Sequence, residues 1–129
     1  MLLGIVVFIF LVVKYKTMPG SQNFKYYEGD FWFSVDQSSS FYKRGASSVT
    51  EFNATNSNLP DSVILNFDID EAGNFWMYYN NHIGKFDGTN YTQYNIPFNY
   101  DHSFVRAKVL VNGDDVWFLN GHDGVVRFD

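Results

Sequence analysis

Three histidines, His82, His102 and His122, recur at intervals of twenty residues. That regularity invites a metal reading, because neutral imidazole is the commonest protein ligand for a transition metal. His82 and His122 fall in equivalent turns of two similar stretches, whereas His102 falls in a connection, so the three are not expected to converge on one ion. Asp68-Ile69-Asp70-Glu71-Ala72-Gly73 sets carboxylates at alternate positions ahead of a glycine, as a calcium loop does. Counted from Asp68, an EF-hand needs a bidentate glutamate where Tyr79 stands. Asp and Gly are also the residues that tight hairpins demand, and the turn reading is preferred. No metal and no cofactor are expected. Serine, histidine and carboxylates are present for acyl transfer or acid–base work, but none lies on a nucleophile elbow or another recognisable catalytic motif. The chain is read as non-catalytic. It has no cysteine, which removes thiolate nucleophiles, thiolate metal sites and disulfides. The residue types best suited to surface contacts are Tyr78, Tyr79, Asn80, Asn81, His82, Asn99, Tyr100 and His122, since Tyr and Asn combine flat area with adaptable hydrogen bonding.

The elements that must position these side chains belong to a chain of 129 residues and 15.0 kDa, room for one small domain or part of a larger one. Hydrophobic residues make up 46% and aromatic residues 20%, which excludes disordered and low-complexity classes. The net charge of -5 repels phosphate backbones and leaves no basic stripe, so nucleic acid is not an expected partner.

A repeat organises the rest. Gly29-Asp30-Phe31-Trp32-Phe33, Gly73-Asn74-Phe75-Trp76-Met77 and Gly113-Asp114-Asp115-Val116-Trp117-Phe118 each place a glycine and small polar residues before an apolar-Trp-apolar triplet. The Trp32-to-Trp76 and Trp76-to-Trp117 spacings are 44 and 41 residues, and Val49-Thr50-Glu51-Phe52 recurs 42 residues on as Tyr91-Thr92-Gln93-Tyr94. Residues 63–70 alternate Val63, Leu65, Phe67 and Ile69 against Ile64, Asn66, Asp68 and Asp70, the period of a strand. Further strands are expected at 75–79, 83–87 and 91–95, with Gly73 and Gly113 in the hairpin turns. Short strands repeated at ~40 to 45 residues are the signature of four-stranded propeller blades. The expected fold is therefore all-β: a partial β-propeller over 24–129, with blades at 24–57, 63–96 and 104–129, the last incomplete. Trp32, Trp76 and Trp117 are expected to pack between neighbouring blades rather than to serve as stacking platforms for sugars.

Residues 1–16 form a separate segment, in which 2–13 read LLGIVVFIFLVV, followed by Lys14 and Lys16. Twelve apolar residues are short of the ~20 that span a bilayer but suit the core of a secretory signal. Neither a basic residue before the run nor a small-x-small cleavage site after it is present, so a membrane anchor and a buried β-branched strand stand as alternatives. An extracytoplasmic location, periplasmic or secreted, is expected, with anchoring by residues 2–13 as its variant.

Asp70, Gly73, Asn74, Phe75, Trp76, Gly84, Phe86, Asp87 and Gly88 together resemble a blade of the two-component regulator propeller repeats, and Asn58-Leu59-Pro60-Asp61-Ser62-Val63 is similar to the Leu-Pro-x-x-x-Val linker that opens such a blade. The resemblance covers residues 24–129 and departs after Trp76, where Tyr78-Tyr79-Asn80-Asn81 replaces the usual Gly-Thr turn. It implies an extracytoplasmic sensor region that binds a small molecule, often a saccharide, or a protein partner, and signals through a membrane helix to a kinase. A carbohydrate-active enzyme or lyase on a propeller scaffold, and a structural interaction scaffold, are the competing classes. Closed propellers use several blades, so further blades are expected from a longer chain, from copies of this one or from another protein.

Overall fold

The computed structural model describes residues 23–35, 38–79, 82–95, 107–121 and 124–128. The N-terminal segment 1–16 lies outside the described residues. Every regular element among the described residues is a strand: β1 (Asn23–Tyr27), β2 (Asp30–Ser34), β3 (Phe41–Arg44), β4 (Val49–Phe52), β5 (Ile64–Ile69), β6 (Phe75–Tyr79), β7 (Ile83–Phe86), β8 (Tyr91–Tyr94), β9 (Ala107–Asn112), β10 (Asp115–Asn120) and β11 (Gly124–Phe128). They make three antiparallel meanders, β1-β2-β3-β4, β5-β6-β7-β8 and β9-β10-β11, each strand pairing with its neighbour in sequence. These are the blades of a partial β-propeller.

Local turn chemistry fixes the hairpins. Glu28 and Gly29 take φ of 48° and 84° between Tyr27 and Asp30, the left-handed pair that matches the twist of a two-residue hairpin. In the second blade the turn is longer: Gly73 takes φ 86°, and Asn74 keeps a negative φ and contributes its side chain.

The inner strands tie one blade to the next. Asn66 Nδ2 donates to Asn23 Oδ1 at 2.7 Å and Asn23 Nδ2 to the Leu65 carbonyl at 2.8 Å. On the other side of β5, the backbone amides of Val109 and Val111 donate to Asn66 Oδ1 and Asp68 Oδ2 at 3.0 and 2.8 Å. Lys25 completes the series with an ion pair to Asp68 at 3.2 Å. Buried side-chain acceptors thus satisfy backbone donors that have no strand partner on that side, which offsets the desolvation of both groups.

Two cores lie between the blades. The first joins Phe41 of blade 1 to Phe67, Phe75, Met77, Tyr79 and Phe86 of blade 2, with Leu59 from the connection inserted among them. The second joins Trp76, Tyr78 and Ile83 of blade 2 to Val109, Val116 and Phe118 of blade 3. Successive residues of β6 therefore point into different cores. All five are buried, because the middle sheet is covered on both faces. Each fully buried aromatic contributes roughly 1.5–3 kcal/mol relative to exposure.

Gly84 marks the tightest approach inside the middle blade. A Cβ there would fall inside the Tyr91 phenol, whose hydroxyl is buried without a hydrogen-bond partner among the described residues. Gly84→Ala is expected to destabilise the fold by about 1–3 kcal/mol in urea unfolding, through overpacking. In a Tyr91→Val background most of that penalty should vanish, because the obstructing ring is gone.

Candidate functional site

Trp32 and Trp76 each point toward the following blade, and all three repeated tryptophans carry a cation from the adjacent strand. Lys43 lies 5.5 Å from the Trp32 ring centre, Lys85 5.2 Å from that of Trp76, and Arg127 5.9 Å from that of Trp117. The pairs are register partners on the second and third strands of their blades. Trp32 meets Phe75 of the next blade at 4.5 Å, and Trp76 meets Phe128 of the next at 5.2 Å. Trp32 and Trp76 therefore pack between blades, and neither presents a free ring face to a sugar.

Asp70 organises the turn ahead of Trp76. Its carboxylate accepts from the backbone amides of Ala72 and Asn74 at 3.0 and 2.9 Å, from Asn74 Nδ2 at 2.9 Å, and from Trp76 Nε1 at 3.0 Å. Partial burial pushes its acidity down, but the bonds from Asn74, Trp76 and Ala72 outweigh that and hold the carboxyl below its ordinary range. The glycine, asparagine and tryptophan that follow the aspartate in this blade thus have a structural purpose. Blade 1 has a shorter turn and no such acceptor, and Trp32 Nε1 is buried without a hydrogen-bond partner among the described residues. Asp68 is equally committed, to Lys25 and the Val111 amide. Among the described residues no group of His, Cys, Asp and Glu is placed to hold a metal ion.

The expected surface cluster needs correction. Tyr78 and Tyr79 are 3% and 0% exposed and belong to opposite cores, so neither meets solvent. His82 is buried as well, stacked on Tyr79 at 4.6 Å, and desolvation lowers its affinity for a proton. The cause is the coverage of β6 on both faces. Asn80, Asn81, Asn99, Tyr100 and His122 lie outside the described residues. Gly73 and Gly113 both take positive φ in hairpin turns.

A different feature is open to solvent. A groove of about 630 Å³ runs between the outer strand of blade 1 with its following connection and the β7–β8 turn of blade 2. Its polar lining includes Thr50, Glu51, Thr55, Asn56 and Thr89, and Phe52 supplies apolar surface. The connection is held by its own amides: Asn53 Oδ1 accepts from the Thr55 and Asn56 amides, and Asn56 Nδ2 donates to the Glu51 carbonyl at 2.8 Å. Asn58 Nδ2 bridges to the Thr89 carbonyl at 2.7 Å, fixing the two rims relative to each other. Glu51 accepts from Ser40 Oγ at 2.8 Å, and that bond, with one from Asn53, keeps its carboxyl below the ordinary range. The site is thus an ionised carboxylate among hydroxyls and amides, beside aromatic surface, suited to hydrogen-bonding a neutral polar ligand.

No known protein-family model matches the chain, and no curated protein matches it. Among solved structures it is similar to a selenomethionine-substituted virginiamycin B lyase from Staphylococcus aureus, with a TM-score of 0.59 and 17% sequence identity. The match covers 85% of this chain and 41% of that one, so the chain spans less than half the length of the lyase. At that identity the likeness shows the fold, a β-propeller, and not the reaction.

Asp70→Ala is expected to cost about 1.5–3 kcal/mol at neutral pH, since hydrogen bonds to a charged group are lost and the Trp76 indole is left without its acceptor. Because the folded carboxyl titrates below its ordinary 3.8, this stability is present above pH 3.8 and is lost as pH falls through the lower folded value. Urea unfolding at a series of pH values should show wild type and variant converging in acid.

Proposed function

We propose that this chain is a non-catalytic binding segment of a β-propeller sensor, and that the groove beside Glu51 takes a small polyhydroxylated molecule of the saccharide class. The observation that carries the reading is the composition of the groove: Glu51 beside Thr50, Thr55, Asn56 and Thr89, with aromatic surface from Phe52. Hydroxyl groups of a sugar both donate and accept. Carboxylate and amide oxygens answer the donors, threonine hydroxyls and amide nitrogens answer the acceptors, and apolar ring edges meet C–H surface. The rims are held by internal bonds through Asn53, Asn56 and Asn58, so little ordering remains to oppose binding.

The non-catalytic part rests on how the acidic and basic candidates are engaged. Asp68 and Asp70 hold backbone and indole donors, and His82 is packed against Tyr79. The sensor role rests on the resemblance of Asp70, Gly73, Asn74, Trp76, Gly84 and Asp87 to two-component regulator propeller repeats, and an extracytoplasmic location on the apolar run at 2–13.

Calorimetric titration of the purified chain with a panel of mono- and oligosaccharides tests the reading. Binding of at least one sugar is expected, with affinity lowered ~10-fold or more in Glu51→Gln, the loss of one charge-assisted hydrogen bond. Sugar binding that is unchanged in both Glu51→Gln and Thr89→Ala, or no binding across the panel, would refute the groove as the site.

A further inference from the structure

The groove between blades 1 and 2 has a sign of charge as well as a shape. Among the described residues that line it, Glu51 is charged and none is Lys, Arg or His. Glu51 is exposed on β4, and the bond from Ser40 Oγ, with a weaker one from Asn53, keeps its carboxyl ionised at neutral pH. Asp87 stands between Phe86 and Gly88 on the opposite rim and is exposed as well. Its Oδ1 accepts from the Asn90 and Thr89 amides at 2.6 and 2.9 Å, and those bonds hold this carboxyl below its ordinary range too. Each rim therefore presents a negative charge.

The cations beside these rims in register and sequence are engaged elsewhere. Lys43, the register partner of Thr50, is paired with Asp30 at 3.6 Å and lies over Trp32. Lys85 lies over Trp76, a member of the core shared with blade 3, and adds least to holding Asp87 ionised. The net charge of -5 on the whole chain has the same sign as the groove.

We infer that the groove excludes acidic saccharides, with Glu51 as the specificity-determining residue and Asp87 reinforcing it at longer range; the inference rests on the reading of this groove as a saccharide site. An ionised carboxylate has about four acceptor positions and no proton to give. Ser40 and Asn53 use part of that capacity, and the exposed remainder takes hydroxyl donors from a neutral sugar. A uronate group in the same place sets acceptor against acceptor, with two like charges a few ångström apart. The hydroxyls of Thr50, Thr55 and Thr89 can donate to an anion, but as neutral dipoles they do not cancel its repulsion from Glu51 and Asp87. Discrimination of this kind comes from repelling the wrong ligand rather than from added attraction to the right one.

Calorimetric titration of the full chain with matched pairs, glucose and glucuronate, galactose and galacturonate, mannose and mannuronate, reads the preference as a ratio of affinities. The neutral member is expected to bind ~10-fold or more tightly than its uronate at low salt. Raising the ionic strength from about 0.01 to about 1 M shortens the screening length from ~30 to ~3 Å, and should narrow the ratio by weakening the repulsion of the uronate. That measurement needs no variant. Glu51→Gln should bring the ratio below ~3-fold, because the neutral sugar loses a charge-assisted bond and the uronate loses a repulsion. Asp87→Asn, which keeps an oxygen for both turn amides, should narrow it by ~2-fold at low salt. A parallel loss of both ligands in Glu51→Gln, with the ratio unchanged, would reduce Glu51 to a structural role and overturn the inference. Equal affinities for the two members at low salt would also overturn it while leaving saccharide binding in place. Binding of neither member of any pair would overturn both.

Discussion

A sheet that is apolar on both faces cannot stand alone, and everything else in this chain depends on that constraint. The middle blade carries Phe75, Met77 and Tyr79 on one side of β6 and Trp76 and Tyr78 on the other, and only flanking blades can remove both sets from water. Stability is therefore held at the junctions rather than within any one blade, as in other stacked repeats. The amide and carboxylate ladder from Asn23 through Asn66 and Asp68 to Val109 and Val111 then fixes how far one blade is rotated from the next.

That arrangement decides which polar groups remain available for chemistry. Aspartates near the repeat tryptophan serve turns and neighbouring backbone, and the histidine after β6 is drawn into the aromatic layer. What the junctions leave open is the rim, where the connection between blades 1 and 2 meets the β7–β8 turn and the polar groove forms. A scaffold that holds its loops by internal amide bonds while exposing them at its edge is a common way for repeat folds to bind ligands.

Much of the fold is legible in the residues themselves. The recurring Gly-x-apolar-Trp-apolar units and their period identify the blades, and the strands expected at 75–79 and 83–87 are found at Phe75–Tyr79 and Ile83–Phe86. The site is far less legible. Tyr78 and Tyr79 have the composition of a contact surface, and strand alternation alone does not say that both faces of one sheet are covered. The groove unites residues 50–58 with 86–89, which become neighbours only when two blades stand side by side, so no linear spacing announces it. One further signal does stand in the linear sequence: Lys43, Lys85 and Arg127 follow their tryptophans at nearly constant distance, because each lies opposite its tryptophan on the paired strand.

The claim that the junctions carry the fold is tested most directly by a double-mutant cycle across the second one, with Trp76→Ala and Phe118→Ala singly and together in urea unfolding. The rings lie 6.4 Å apart in an edge-on arrangement on different blades. A coupling of about 0.5–1.5 kcal/mol between the two substitutions is predicted. Penalties that add within ~0.3 kcal/mol, as for distant sites, would mean that these blades do not pack as described.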